Sequence, residues 1–146
     1  MKDLFVSYEQ ATQLKELGFD EPCFGYYYTL NGKDWKFVEK TEFYRLDDEI
    51  NIGYKFSLLT PLKQQVFKWF REKYNIIGLI EGGFDMTNIF TYCIWEGFKD
   101  KIYDDYYGTY EEAEDVLINI LIDKVKAFSL VIEFHKSQFS FSFLAK

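Results

Sequence analysis

The apolar positions of this chain switch between helical and strand spacing, and the order of the switches predicts an α+β fold. Ala11, Leu14 and Leu17 share one face of a helix that Ser7 can cap, with Gln10 placed to reach back in a capping box. Gly18 suits the left-handed backbone that stops such a helix, Phe19 can fold back on Leu14, and Pro22 forbids continuation. From Cys23 to Leu30 the period becomes two. Phe24, Tyr26, Tyr28 and Leu30 fall on one face, and Tyr27 and Thr29 on the other. Asn31-Gly32 marks a turn, and Trp35 to Glu39 reads as the returning strand of a hairpin. Asp47-Asp48-Glu49 has the composition of a solvated loop, and Ile52 to Leu58 fits a further short strand.

Thr60-Pro61 predicts the opening of a second helix, a capping hydroxyl followed by proline at the first helical position. Leu62, Val66, Trp69, Phe70 and Tyr74 follow at helical spacing, with Lys63, Lys68, Arg71 and Lys73 elsewhere on the cylinder. Ile76 to Glu81 and Ile89 to Trp95 form a second predicted hairpin around Gly82-Gly83-Phe84-Asp85. Thr109 and Glu112 make another capping box, ahead of a helix carrying Ala113, Leu117, Ile120, Leu121, Val125 and Phe128. Two alternating segments close the chain: Leu130, Ile132, Phe134, then Phe139, Phe141, Phe143 against Ser140 and Ser142. The predicted order is α-β-β-(β)-α-β-β-α-β-β. That is an antiparallel sheet of about 5–7 strands with three helices on it, expected as a single α+β domain over residues 1–146.

Composition sharpens this picture at one point. Aromatic residues make up 21% of the 146 positions, with 16 Phe, 12 Tyr and 3 Trp. Rings on this scale either thicken the core or line a binding face, and tyrosine can do both. Cys23 and Cys93 are far apart and outside any C-x-x-C pair, so neither a disulfide framework nor a zinc site is expected. The opening residues turn polar at once, and no apolar run nears the ~20 residues of a membrane helix. A cytoplasmic protein without membrane contact is the expectation.

Charge narrows the partners. Residues 1–73 carry 11 basic and 12 acidic side chains, while residues 74–146 carry 6 and 12. Eight acids lie between Glu96 and Asp115, against Lys99 and Lys101 alone. Such a surface repels phosphate backbones, so direct nucleic-acid binding is not expected, whereas a basic protein surface suits it. Within it, Asp100, Asp104, Asp105, Tyr106 and Tyr107 mix carboxylates with rings, a combination that gives steering and contact area. They are the candidate partner-binding residues; the competing reading is a charged connector whose tyrosines lie back on the core.

Catalytic chemistry leaves little trace. His135, the one histidine, would share a strand face with Glu133, as a solvent-facing pair also would. G-x-S-x-G is absent, Asp47-Asp48-Glu49 and Asp104-Asp105 lack calcium-loop spacing, and Glu81-Gly82-Gly83 lacks a phosphate-loop lysine. No catalytic residue, metal or cofactor is therefore expected. A nucleotide-binding alternative draws on the aromatic hairpin, with Tyr27 to stack a base and Lys36, Arg45 and Lys55 to meet phosphates.

Three segments carry a resemblance. Ser7-Tyr8-Glu9-Gln10-Ala11 with Leu14-Lys15-Glu16-Leu17-Gly18-Phe19-Asp20-Glu21-Pro22-Cys23 resembles the opening of a family of small uncharacterised proteins from gut bacteria and their tailed phages. Trp69-Phe70-Arg71-Glu72-Lys73-Tyr74 and Thr109-Tyr110-Glu111-Glu112-Ala113-Glu114 resemble that family's two further landmarks, in the same order. The resemblance covers about a third of the chain and implies ancestry but no activity. Two features depart from it: Thr60-Pro61-Leu62 stands where the family has a Thr-Tyr pair after proline, and residues 127–146 look like an addition. An alternating strand over 139–143 could complete the sheet or pair with a second copy of the chain. The functional expectation is a non-enzymatic protein, phage or mobile-element encoded, that binds a host protein through an acidic, tyrosine-rich surface. Nucleotide sequestration by an oligomer is the second reading, and a minor structural or assembly role the third.

Overall fold

The computed structural model describes residues 2–44, 56–82, 89–96, 99–102 and 105–143. After a 3-10 turn at Lys2–Leu4, the chain forms α1 (Tyr8–Glu16), β1 (Cys23–Thr29), β2 (Lys36–Tyr44) and β3 (Phe56–Thr60). Then come α2 (Lys63–Tyr74), β4 (Ile76–Gly82), β5 (Phe90–Glu96), β6 (Lys99–Ile102) and α3 (Tyr110–Phe143). The class is α+β, as expected. The strands form two three-stranded antiparallel sheets, ordered β2-β1-β3 and β4-β5-β6, in place of one continuous sheet.

Helix α1 starts as its sequence dictates. The Ser7 hydroxyl accepts from Gln10 N–H at 3.1 Å, and Gln10 Oε1 accepts from Ser7 N–H at 3.0 Å. Gly18, at φ +80°, ends the helix, and Phe19 N–H returns to the Leu14 carbonyl at 2.9 Å. The next helix begins later than Thr60-Pro61 suggested. Phe5 bridges Leu62, and Val6 N–H bonds the Pro61 carbonyl at 3.2 Å, so residues 60–62 are held extended. Thr60 ends β3, and α2 opens at Lys63, where Gln65 Oε1 accepts from Leu62 N–H at 3.0 Å.

The register of the first sheet decides which rings face the core. Tyr27 lies opposite Phe37 of β2 and Leu58 of β3. This row joins Cys23 in the core, with Val6, Leu14, Val66 and Phe70. Tyr26 is buried on the opposite face, 6.2 Å from Tyr28. Gly25 sits under the rings of Phe5 and Phe37, where an added Cβ would come within 2.8 and 2.9 Å of them. In the second sheet, Ile76, Tyr92 and Ile94 meet Leu117, Leu121 and Val125 of α3 in the same core cluster.

Several expectations about order are corrected. Lys99–Ile102, within the segment whose competing reading was a charged connector, is the edge strand β6: Cys93 pairs with Ile102 and Trp95 with Asp100. The two closing strands do not form, because 110–143 is one helix. The segment has no glycine or proline from Thr109 onward, so nothing breaks the helix that Thr109 caps through Glu112 N–H at 3.1 Å. Pairing of copies through a strand at 139–143 therefore has no strand to act through. Glu133 and His135 belong to this helix and not to a strand. Asp47-Asp48-Glu49 lies outside the described residues.

Candidate functional site

The acidic, tyrosine-bearing segment divides into an anchor and an exposed tip. Tyr107 exchanges both backbone hydrogen bonds with Phe90, at 2.8 and 2.9 Å, and stacks on Tyr92 with ring centroids 6.0 Å apart. Its neighbour Tyr106 is 71% exposed, beside the exposed Asp105. Asp100 belongs to β6, the edge of its sheet. Asp104 lies outside the described residues. Tyr110, at the start of α3, packs edge-on against Phe90 at 5.9 Å and keeps much of its surface exposed. A short stretch of chain thus carries one tyrosine bound into the sheet and one presented to solvent.

Of the residues of the nucleotide alternative, the two that are described, Tyr27 and Lys36, do not come together. Tyr27 is 6% exposed and donates its hydroxyl to the Val6 carbonyl at 3.4 Å. Burial, with Glu9 nearby, raises its phenol pKa. Lys36 pairs with Tyr28, one residue along from the Tyr27–Phe37 pair, and so lies on the opposite face of the sheet from Tyr27. Arg45 and Lys55 lie outside the described residues.

A different concavity stands out, an open cleft of about 820 Å³ that sequence reasoning missed. Its aromatic wall is Phe5, Tyr8, Tyr27 and Trp35. Tyr8 lies 4.5 Å from Trp35 with the rings 31° apart, and meets Tyr27 edge-on at 5.7 Å. Asp3, Glu9, Glu111 and Asp115 supply carboxylates, and Lys2, Lys33 and Lys63 ammonium groups. These residues come from the chain start, α1, the β1–β2 turn, α2 and α3, so no short motif announces them. Folding of the turn brings Trp35 into place. Asn31 Oδ1 accepts from Lys33 N–H at 2.9 Å and Asp34 N–H at 3.0 Å, and Gly32, at φ +77°, bonds Thr29 Oγ1 at 3.1 Å.

Lys63, which its spacing placed off the apolar stripe of the helix, is buried. Its side chain is only 4% exposed, 2.8 Å from Asp115 and 3.8 Å from Glu114. Glu114 is itself buried and accepts from Gln64 Nε2 at 2.9 Å. Its pKa is raised because burial disfavours the carboxylate, although Lys63 and the Gln64 hydrogen bond oppose the shift. Gln10 adds a second tie to the same helix, donating to the Asp115 carbonyl at 3.0 Å and to Asn119 Oδ1 at 3.1 Å. These bonds fix the α3 end of the cleft.

Other chemistry is sparse among the described residues. No three His, Cys, Asp or Glu side chains stand together to hold a metal ion, and no helix is long and apolar enough to cross a membrane. Both cysteines are buried, and burial with nearby Glu21 pushes the Cys23 thiol up to about 12. Compared with known protein families, curated proteins and solved structures, the chain matches none.

Proposed function

We propose that this chain is a non-enzymatic interaction protein, encoded by a phage or mobile element, that docks on a basic surface of a host protein. The observation that supports this reading best is the exposure of Tyr106, 71% open to solvent beside Asp105 while Tyr107 next to it is anchored. An anchored base holds the exposed ring at low conformational cost, and interface cores favour tyrosine. The excess of acids from Glu96 to Asp115 supplies attraction toward a basic partner. Binding of this kind depends on salt, because charge steering is screened over about 8–10 Å at physiological ionic strength.

The test is capture from host lysate at low and moderate salt, with wild-type bait beside a bait carrying Asp100→Asn, Asp104→Asn and Asp105→Asn. The proposal requires a stoichiometric partner that wild type retains, that salt weakens, and that the triple variant holds less well. A partner held equally by both baits, with the same salt dependence, would overturn the assignment of the surface.

A further inference from the structure

We propose that the cleft beside α1 is a second binding site, and that it takes an arginine side chain of a basic peptide segment. The starting point is the wall. Tyr8 and Trp35 are both half-buried, so each packs part of its ring into the protein and keeps part toward the cleft. With the rings 31° apart at 4.5 Å, they overlap face to face as a tilted stack, and an outer ring face of that stack is the surface on which a guanidinium plane packs. The volume, about 820 Å³, accommodates a long side chain with part of its backbone.

Charge then selects among flat ligands. Four carboxylates line the cleft against three ammonium groups. Lys63 is committed to Asp115 and Glu114, leaving Lys2 and Lys33, both exposed, on the other side of the balance. Asp3, Glu9 and Glu111 are exposed as well and can close on a cation. A nucleotide's phosphates would meet the exposed Lys2 and Lys33 but also the three carboxylates beside them, and Lys63 is already matched. An arginine satisfies wall and rim together, with its plane on the rings and its donors on the acids. This site goes beyond the surface around Tyr106 and does not rest on it.

The full chain, labelled with 5-fluorotryptophan, gives one fluorine resonance for each of its three tryptophans, and Trp35→Phe identifies the Trp35 signal. Unchanged signals from Trp69 and Trp95 in that variant report that the fold is kept. The probe is a short blocked peptide with two arginines, compared with the same peptide carrying citrulline and with ADP. The expected result is a saturable shift of the Trp35 signal with the arginine peptide alone. Glu9→Gln and Glu111→Gln should each weaken that binding by about two- to fivefold, the range of exposed charge pairs. An equal response to citrulline, a response to ADP in place of the arginine peptide, or no Trp35 shift up to about 10 mM peptide would overturn the proposal.

Discussion

Each sheet passes a glycine beneath packed side chains, and the two do so with different materials. Gly25, in the central strand of the first sheet, lies under the rings of Phe5 and Phe37. Gly78, in an edge strand of the second, lies under Leu117 and Leu121, the nearest atom being Leu117 Cδ2 at 3.0 Å from a built Cβ. Rings move as rigid plates, and these are held by neighbours: Phe5 and Phe37 pack at 4.9 Å, Phe37 and Tyr27 at 5.5 Å. A leucine methyl can turn to another rotamer. The first sheet therefore has less room than the second to relax around its glycine, and its packed rings form part of the aromatic wall of the cleft. The second sheet keeps its capacity for contact at an edge, around β6 and Tyr106.

The largest expected effect lies where α2 and α3 lock the two regions together. Lys63→Met removes the cation between Glu114 and Asp115 and leaves Glu114 buried without it. The cost should be about 2–3 kcal/mol in denaturant unfolding at neutral pH, less than a fully buried pair because the Asp115 side chain is 50% exposed. The pH dependence has a definite sign. The folded-state pKa of Glu114 is raised above its ordinary 4.5, so its contribution to stability is fully present below that value. It is lost as pH rises through the folded pKa. Acidification should therefore shrink the penalty of Lys63→Met, and a penalty that grows on acidification would contradict the assignment.

Next in size is the glycine comparison itself. Gly25→Ala should cost about 1–3 kcal/mol, because a Cβ there displaces two rings, whereas Gly78→Ala should stay within about 1 kcal/mol. Equal costs in urea titrations would remove the distinction between a ring-built and a leucine-built sheet.

The cysteines give the smallest effect, one of rate and not of stability. Cys23 lies in the central strand of the first sheet, with its thiol pushed up to about 12 and donating to the Glu21 carbonyl at 3.3 Å. Cys93, also buried, donates weakly to Glu81 Oε1 at 3.6 Å in the second sheet. Thiol labelling at pH 8 should reach Cys93 before Cys23, with Cys23 reacting only on global unfolding. The reverse order would place the looser region in the first sheet.

What could be read in the sequence follows the range of the interactions. Capping residues act over three positions, so Ser7, Gln10 and Thr109 mark two helix starts correctly. Strand period gives the faces of β1, with Tyr27 opposite in direction to Tyr26 and Tyr28. It does not give the register of β2, which put Lys36 across from Tyr28 and out of reach of Tyr27. At the chain end the Phe/Ser alternation suggested a strand, yet a capped helix without a breaker continued through it. Lys63 showed no sign of its burial, because its partners lie about fifty residues away on α3. The cleft was invisible for the same reason: Tyr8, Trp35 and Glu111 meet only through tertiary packing. The tyrosines of the acidic segment stood out by composition, but only backbone pairing with Phe90 separates the anchored Tyr107 from the exposed Tyr106.

That separation supports the most direct test of the functional reading: the amount of host partner captured by a Tyr106→Ala bait relative to wild type. With 71% of Tyr106 in solvent, the substitution should leave the unfolding midpoint unchanged and reduce capture at least about tenfold, as an interface anchor would. Full capture by Tyr106→Ala, with folding intact, would contradict the account.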